Sequence, residues 1–281
     1  MNNKIINGKE LASQTKLELK NKIACLTTKP NLAVIIVGSN PASEVYVKNK
    51  EKACMEVGIS TTTYKLPETA SEEELKNLIK KLNTDANTNG ILVQLPLPKH
   101  IDTDLILSSI LPSKDVDGFH PLNMGLLLKK SKNAFIPCTP KGIIKLLHSV
   151  KENLSGLNAV IVGRSQIVGL PIANLLLNEN CTVTVTHSKT KDLSAICKTA
   201  DILVVAIGKT EFITKDYIKK GAIVIDVGIN RTANGLKGDV NFDDAINIAS
   251  YTTPVPGGVG PMTIAMLLEN TYLAYLNQQN S

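Results

Sequence analysis

The sequence feature that most constrains the fold is a series of apolar strands in the second half of the chain, each followed by a turn and a short helical segment. The predicted strands are Asn158–Val162, Thr182–Thr186, Asp201–Ile207 and Ala222–Val227. Strands that alternate with helices indicate βαβ units, which build a parallel sheet with helices on both faces. We therefore predict a Rossmann-like, doubly wound α/β domain here.

The turn after the first of these strands indicates dinucleotide binding. It reads Gly163-Arg164-Ser165-Gln166-Ile167-Val168-Gly169 and lies between a strand and an apolar helix. In that context backbone N–H groups and the helix N-terminus bind phosphate. The spacing departs from G-x-G-x-x-G, because Ser165 replaces the second glycine and the last glycine comes one residue late. Taken alone, the pattern is a weak match.

The end of the second strand favours NADP over NAD. An NAD site usually has Asp or Glu there, roughly 20 residues after the glycine turn. This chain has His187-Ser188-Lys189-Thr190 instead. Arg164 adds a planar donor suited to a phosphate. His187 itself could be a catalytic acid or, as is commoner, a hydrogen-bonding loop residue.

The first half also predicts an α/β arrangement. The apolar run Leu32–Val37 reads as a buried strand, followed by a turn and a helix that begins near Pro41. On that helix Tyr46 and Lys50 are four residues apart and share one face. They would lie near the carboxyl end of the strand, where open α/β sheets bind ligands. The pair could stack on a flat substrate and move a proton, or be a half-buried Tyr beside a solvated Lys.

Polar residues at two further places in the first half could belong to a site. Gln94 lies in the run Gly90–Pro98, where a buried amide must either cap the neighbouring loop or orient a site group. Asp115 and Asp117 lie in a glycine-containing loop. They could bind a cation, accept hydrogen bonds from a heterocycle, or belong to an ordinary turn, although a calcium loop needs more oxygen donors.

Composition limits the remaining classes. With 281 residues and 43% hydrophobic residues, the chain can form two domains, and its apolar runs are shorter than the roughly 20 residues that span a bilayer. The N-terminus lacks a signal-peptide pattern, and five cysteines show neither C-x-x-C nor zinc spacing. The net charge of +6 comes from dispersed lysines. We expect a cytoplasmic protein with no metal, no membrane partner and no nucleic acid partner.

A glycine- and proline-rich loop precedes the last helix. Pro254–Pro261 contains three glycines and three prolines, which indicates a rigid loop that allows close approach. The final helix, Met262 to about Asn277, is apolar enough that we expect it to return to the first domain. The predicted domains are therefore 1–138, completed by the helix 260–281, and 139–259.

Together these stretches resemble the bifunctional methylenetetrahydrofolate dehydrogenase/methenyltetrahydrofolate cyclohydrolase family over nearly the whole chain. The most specific motifs are Gly257–Thr263 and Gly90–Pro96, supported by Lys114–Gly118 and Gly163–Ser165. The second glycine of the dinucleotide pattern is also serine in this family. The resemblance implies two α/β lobes with a cleft between them, and a homodimer formed through the cofactor lobes.

The resemblance also implies two reactions. NADP⁺ oxidises 5,10-methylenetetrahydrofolate to the methenyl form, which water converts to 10-formyltetrahydrofolate. These reactions belong to one-carbon metabolism, tetrahydrofolate interconversion and purine biosynthesis. The substrate's anionic glutamate tail, expected as a polyglutamate, suits the positive charge of the chain.

Residue by residue, the resemblance gives the catalytic and substrate-binding positions. Lys50 matches the catalytic lysine, and Gln94 matches the residue that holds its amine. Tyr46 matches the aromatic residue that packs on the folate, and Asp117 the carboxylate that binds the pterin. Pro254, Gly257 and Gly258 would border the folate pocket. The expected cofactor-binding residues are Gly163, Arg164, Ser165, Ser188 and Ile229.

Alternatives remain at this point. A relative could keep only the dehydrogenase step or use NAD, although Lys50 and the missing strand-end carboxylate argue against both. A regulatory module that binds NADP without turnover would need no proton-transfer lysine supported by Gln94.

Overall fold

Both halves of the chain build parallel sheets, as the strand–helix alternation predicted. The computed structural model describes residues 4–233 and 235–279. The helices are α1 (Gly8–Ala24), α2 (Pro41–Val57), α3 (Glu72–Thr84), α4 (Thr103–Ser109), α5 (Pro121–Leu128), α6 (Cys138–His148), α7 (Gly169–Asn178), α8 (Leu193–Cys197), α9 (Phe242–Ile248) and α10 (Val259–Gln279). The strands are β1 (Asn31–Val37), β2 (Ser60–Leu66), β3 (Gly90–Val93), β4 (Asn158–Val162), β5 (Thr182–Thr186), β6 (Ile202–Val205), β7 (Ile223–Asp226), β8 (Asn230–Thr232), β9 (Gly235–Lys237) and β10 (Tyr251–Thr252).

The first unit, here called the three-stranded unit, comprises Gln14–Cys138 and α10 from Ile264 onward. Its parallel sheet has the order β2-β1-β3. All four residues of β3 and the last six of β1 are buried, because strands covered on both faces are apolar throughout. An isolated parallel bridge between Ile91 and Asp115 brings the Asp115–Asp117 loop beside β3.

The second unit, here called the five-stranded unit, comprises the described residues up to Ser13 and Thr139–Thr263. Its sheet has the order β10-β7-β6-β4-β5, and every pair of neighbours is parallel. The strand that follows β4 in the chain lies on one side of β4, and the next one lies on the other side. This reversal is the topological switch point at which doubly wound sheets bind ligands.

These units differ from the predicted domains at both ends of the chain. The described residues before Ser13 group with the five-stranded unit, because Ile6 N donates to Thr252 O (2.9 Å) and Thr252 N to Lys4 O (2.8 Å). At the other end, α10 begins in the five-stranded unit and passes to the three-stranded unit at Ile264. The predicted division after residue 138 stays a prediction about functional domains.

Among residues 4–233 and 235–279, no helix is both long enough and apolar enough to cross a membrane.

Candidate active site

Lys50 and Gln94 are joined by a hydrogen bond in the three-stranded unit. The Nζ of Lys50, on α2, donates to Oε1 of Gln94 at 3.0 Å. Gln94 follows β3, where its backbone N donates to Ile35 O (2.8 Å) and its Nε2 to Leu95 O (2.7 Å). The side-chain amide of Gln94 therefore bonds both to the adjoining loop and to the lysine, and the role of Gln94 in orienting a site group stays a prediction.

Tyr46 lies one turn before Lys50 on α2. The helix starts at Pro41, after a turn in which Gly38 has a φ of 81°. Residues four apart lie on the same helix face, so Tyr46 and Lys50 share one face, and both are partly exposed. This side of α2 offers an aromatic ring beside an amine.

The two aspartates of the neighbouring loop have different roles. Asp115 is buried, and its carboxylate accepts hydrogen bonds from the backbone N–H groups of Gly118 (3.1 Å), Phe119 (3.2 Å) and His120 (2.8 Å). Asn123 Nδ2 donates to it at 2.8 Å. Asp115 therefore shapes the turn, which leaves Asp117, partly exposed, as the carboxylate able to meet a ligand.

The charges near Asp117 oppose one another. Desolvation raises the pKa of the Asp117 carboxyl above its ordinary range, and the negative charge of Asp115 adds to that effect. The positive charge of Lys50 and a hydrogen bond with Cys138 lower it. A lysine amine and a poorly solvated carboxyl thus interact electrostatically within one unit, as perturbed groups at functional sites commonly do.

Asn270 holds this loop and was not among the residues predicted from the sequence. Its buried Nδ2 donates to Val116 O (2.8 Å) and to Ile136 O (3.0 Å), and the thiol of Cys138 donates to Val116 O (3.3 Å). Asn270 is a polar residue in the apolar helix α10. Since a buried amide must find partners, that isolation was the available signal.

The glycine turn of the five-stranded unit lies at the switch point. Gly163 follows β4 with a φ of 121°, and a side chain there would collide with the carbonyl oxygen of Ala206, after β6. Gly169, the first residue of α7, has no room for a side chain against the carbonyl oxygen of Gly163. Both glycines are thus required for close backbone approach, although the spacing between them is not the usual one.

The remaining residues predicted to bind a cofactor belong to the same unit. The Oγ of Ser165 accepts hydrogen bonds from Val168 N and Gly169 N (both 3.3 Å), and Arg164 is exposed. Ser188 is exposed in the turn after β5, and Ile229, between β7 and β8, is 43% exposed. The end of β5 carries no carboxylate within His187–Thr190.

His187 behaves as a loop residue. Its Nδ1 accepts a hydrogen bond from Lys189 N (3.1 Å), and its backbone N donates to Thr190 Oγ1 (2.9 Å). The ring thus holds the turn after β5, in agreement with the more common of the two roles considered for it.

The Pro254–Gly258 loop is held by the N-terminal segment of the same unit. Lys9 N donates to Gly257 O (2.9 Å), and Gly8 leaves no room for a side chain beside the Gly258 carbonyl. Gly257 has a φ of 110°. The N-terminal segment thus approaches the backbone of this loop closely, and the rigidity expected from its composition stays a prediction.

Known proteins with this sequence pattern identify the class of enzyme. Residues 6–117 match the family model described as "Tetrahydrofolate dehydrogenase/cyclohydrolase, catalytic domain", and residues 137–279 match the corresponding "NAD(P)-binding domain". The chain therefore belongs to the tetrahydrofolate dehydrogenase/cyclohydrolase family.

Individual relatives agree with this assignment over the full length. The chain is 55% identical to the bifunctional protein FolD of Ruminiclostridium cellulolyticum over 282 residues, which cover 99% of each chain. Among solved structures it is similar to the bifunctional FolD of Campylobacter jejuni, with 52% identity and a TM-score of 0.95 over 97% of this chain and 98% of that one. It is also similar to the Trypanosoma brucei enzyme complexed with NADP cofactor and inhibitor, with 39% identity and a TM-score of 0.94 over 99% of this chain and 98% of that one.

The predictions of the family, of a two-unit α/β fold with a Rossmann-like part, and of an enzyme of the bifunctional dehydrogenase/cyclohydrolase type are thereby confirmed.

Proposed function

We propose that this chain oxidises 5,10-methylenetetrahydrofolate with NADP⁺ and hydrolyses the methenyl product to 10-formyltetrahydrofolate, with Lys50 as the proton-transfer group. The observation that carries the proposal is the hydrogen bond between Lys50 Nζ and Gln94 Oε1, within the unit that contains most of the residues matched to the catalytic-domain model. A cofactor-binding module without turnover has no need of a lysine held in this way.

The residues of the five-stranded unit fit NADP. Gly163 and Gly169 let the backbone of the turn pack closely at the N-terminus of α7, and exposed Arg164 offers a bidentate donor for a phosphate. The turn after β5, which contains Ser188, lacks the carboxylate that would bind the ribose of NAD and repel a 2′-phosphate. Ile229 gives an exposed apolar contact. When bound, NADP⁺ accepts the hydride, and the similar Trypanosoma brucei enzyme is described as an NADP complex.

The hydrolytic step is the one that needs the protein's own proton-transfer group. Water adds its oxygen to the methenyl carbon and loses a proton, and cleavage of the bond from that carbon to N5 leaves the formyl group on N10. Lys50 Nζ can take one proton from the water and return it to N5 as that bond breaks, and the remaining hydroxyl proton is released to solvent as the formyl C=O forms. Gln94 aims the amine, because its side-chain Nε2 donates to Leu95 O and its backbone N donates to Ile35 O.

Binding and orientation of the folate fall to the surrounding residues. Asp117 accepts hydrogen bonds from the pterin N–H groups, and Tyr46 packs its ring against the folate. By family resemblance, Pro254, Gly257 and Gly258 of the five-stranded unit are also assigned to folate binding. Orientation of this kind supplies much of the lowering of the barrier for hydride transfer, since the reacting carbon must lie against the nicotinamide.

An absorbance assay tests the proposal. The protein is mixed with methylenetetrahydrofolate and either NADP⁺ or NAD⁺, and the methenyl and reduced-cofactor signals are followed separately. NADPH formation with little methenyl build-up supports both activities. Accumulation of the methenyl form would show that the protein has the dehydrogenase activity without the cyclohydrolase activity. Absence of turnover with either cofactor would overturn the proposal.

We also propose that the chain forms a homodimer, acts on polyglutamylated substrates and is cytoplasmic. A homodimer through the five-stranded unit is supported by Leu170 and Leu177 of α7, which are 40% and 51% exposed, and by β5, which is the edge strand. Light scattering should give twice the chain mass.

A polyglutamate tail on the substrate suits the net charge of +6. A cytoplasmic location suits the five free cysteines, four of which are buried.

A further inference from the structure

Two buried carboxylates of the five-stranded unit take no part in the chemistry proposed above. Asp226 ends β7 and is 4% exposed, and Asp239 follows the β8–β9 hairpin and is fully buried. Buried carboxylates are costly unless hydrogen bonds satisfy them, so their partners indicate what they do.

Asp239 accepts four hydrogen bonds. Its Oδ2 accepts from the backbone N–H groups of Ile207 (2.7 Å) and Gly208 (2.9 Å), and its Oδ1 accepts from Lys209 N (2.8 Å) and Asn230 Nδ2 (2.9 Å). Because every partner is a donor, only a group with two accepting oxygens satisfies them all. An asparagine would turn its NH₂ group toward two of these donors.

The turn held by Asp239 lies at the switch point. Ile207–Lys209 directly follow Ala206, whose carbonyl lies so close to Gly163 that no side chain fits between them. Asn230 is the residue after Ile229. One carboxylate therefore fixes the turn after β6 and the segment next to a predicted cofactor contact.

Asp226 in turn fixes Asp239. Its Oδ1 accepts from Asp239 N and Gly228 N (both 2.9 Å), and its Oδ2 accepts from Val240 N (2.9 Å). The backbone N of Asp226 donates to Thr253 Oγ1 (2.8 Å), directly before the Pro254–Gly258 loop. A continuous set of hydrogen bonds thus joins the turn after β6 to the loop proposed to border the substrate.

We propose that Asp239 is a positioning residue of the dehydrogenase step, which holds the Ile207–Lys209 turn in the conformation that accepts the dinucleotide. This inference rests on the proposed function, because it requires NADP at the switch point. A turn released from Asp239 would leave three backbone N–H groups unpaired beside Gly163 and would change the shape of the crevice that the cofactor enters.

The test is Asp239→Asn in the full-length protein, with Asp216→Asn as the matched control at an exposed aspartate of the same unit. For Asp239→Asn the KM for NADP⁺ should rise at least tenfold, while hydrolysis of methenyltetrahydrofolate, which needs no NADP, should stay within twofold in kcat and KM. The control should leave both reactions unchanged. Equal loss of both activities, or an unchanged KM for NADP⁺, would overturn the inference.

A direct binding measurement distinguishes failure of this inference from failure of the proposed function. Calorimetry with NADP⁺ alone should show at least tenfold weaker binding by Asp239→Asn, whether or not the wild type turns over folate. A wild type that binds NADP⁺ without reducing it would refute the proposed activity, and the difference in binding would still decide the role of Asp239.

Hydrogen exchange on the unaltered protein provides a second test if the variant does not fold. The amides of Ile207, Gly208 and Lys209 lie outside the strands, but should exchange at least 100-fold more slowly than unprotected amides. Exchange at the rate of an open loop would show that Asp239 does not hold them.

Discussion

Lys50 Nζ and Gln94 Oε1 lie 3.0 Å apart although 44 residues separate them in the chain. The contact joins a helix to the end of a buried strand, and the strand side is rigid because Gln94 N bonds to Ile35 O in β1. The amine is therefore held by the sheet as well as by its own helix. Support of this kind would suit the proton-transfer role proposed for Lys50.

Replacement of Lys50 should separate the two activities. Lys50→Gln removes the proton-transfer group and should lower the rate of hydrolysis roughly 10²-fold or more, the usual size of a general acid–base contribution. Binding of folate and NADP⁺ should persist. Lys48→Gln, an exposed change on the same helix, is the control. Survival of both activities in Lys50→Gln would refute the assigned role.

Asp115 and Asp117 should respond differently to the same substitution. Asp117→Asn should raise the KM for folate in both reactions roughly tenfold with little change in thermal stability, because it loses a charged hydrogen bond to the ligand.

Asp115→Asn should instead lower the free energy of unfolding by about 2–4 kcal/mol, because four donors converge on that buried carboxylate. Steady-state kinetics and urea unfolding of both variants give the comparison. Equal stability of the two variants would contradict it.

Much of the three-stranded unit could be predicted from local sequence. The capping box Ser71/Glu74 and the end of α2 before Gly58, with a φ of 89°, follow from short-range chemistry, and the structure has both. Burial of β3 followed from its unbroken apolar run. These features depend on residues close together in the chain.

What could not be predicted depends on contacts between distant segments. The grouping of the first residues with β10 comes from a backbone bridge between Ile5 and Thr252, which no side-chain pattern encodes. Likewise, D-x-D-G does not reveal which aspartate turns inward. That is decided by Asn123, whose amide reaches Asp115. Pairing of Lys50 with Gln94 was expected from family resemblance, since spacing alone left both roles open.

Arg164 should determine the choice of cofactor. Arg164→Ala removes the proposed phosphate donor and should lower kcat/KM for NADP⁺ roughly 10- to 100-fold, with little effect on NAD⁺, because a bidentate Arg–phosphate contact is a strong charged interaction. Kinetics with each cofactor measure the ratio, and hydrolysis of the methenyl substrate serves as the control. If the ratio of kcat/KM for NADP⁺ to that for NAD⁺ does not change, the 2′-phosphate does not bind at Arg164.

Stability should depend on the protonation of Asp226. Burial raises the pKa of this carboxyl from its ordinary 3.8 to about 7, against the lowering effect of its three N–H donors. Between these values the folded protein binds the proton and the unfolded chain does not. The free energy of unfolding should therefore fall as pH rises from about 4 to 7, by up to about 4 kcal/mol.

Asp226→Asn removes this titration, so its stability should depend less on pH than that of the wild type. Urea unfolding at pH 5 and pH 8 measures the difference. Parallel pH dependence in the two proteins would show that Asp226 does not titrate in this range.

The chain passes between its two units three times, after Ser13, after Cys138 and after Thr263. No single cut can therefore release either unit as a complete folding module. A gene fragment that ends at Cys138 would lack the part of α10 that carries Asn270, which holds the loop of Asp117. Splitting the gene in two is therefore not expected to give a stable protein that keeps only one activity. A descendant that loses one of the two reactions is expected to lose it through a point substitution in an intact chain.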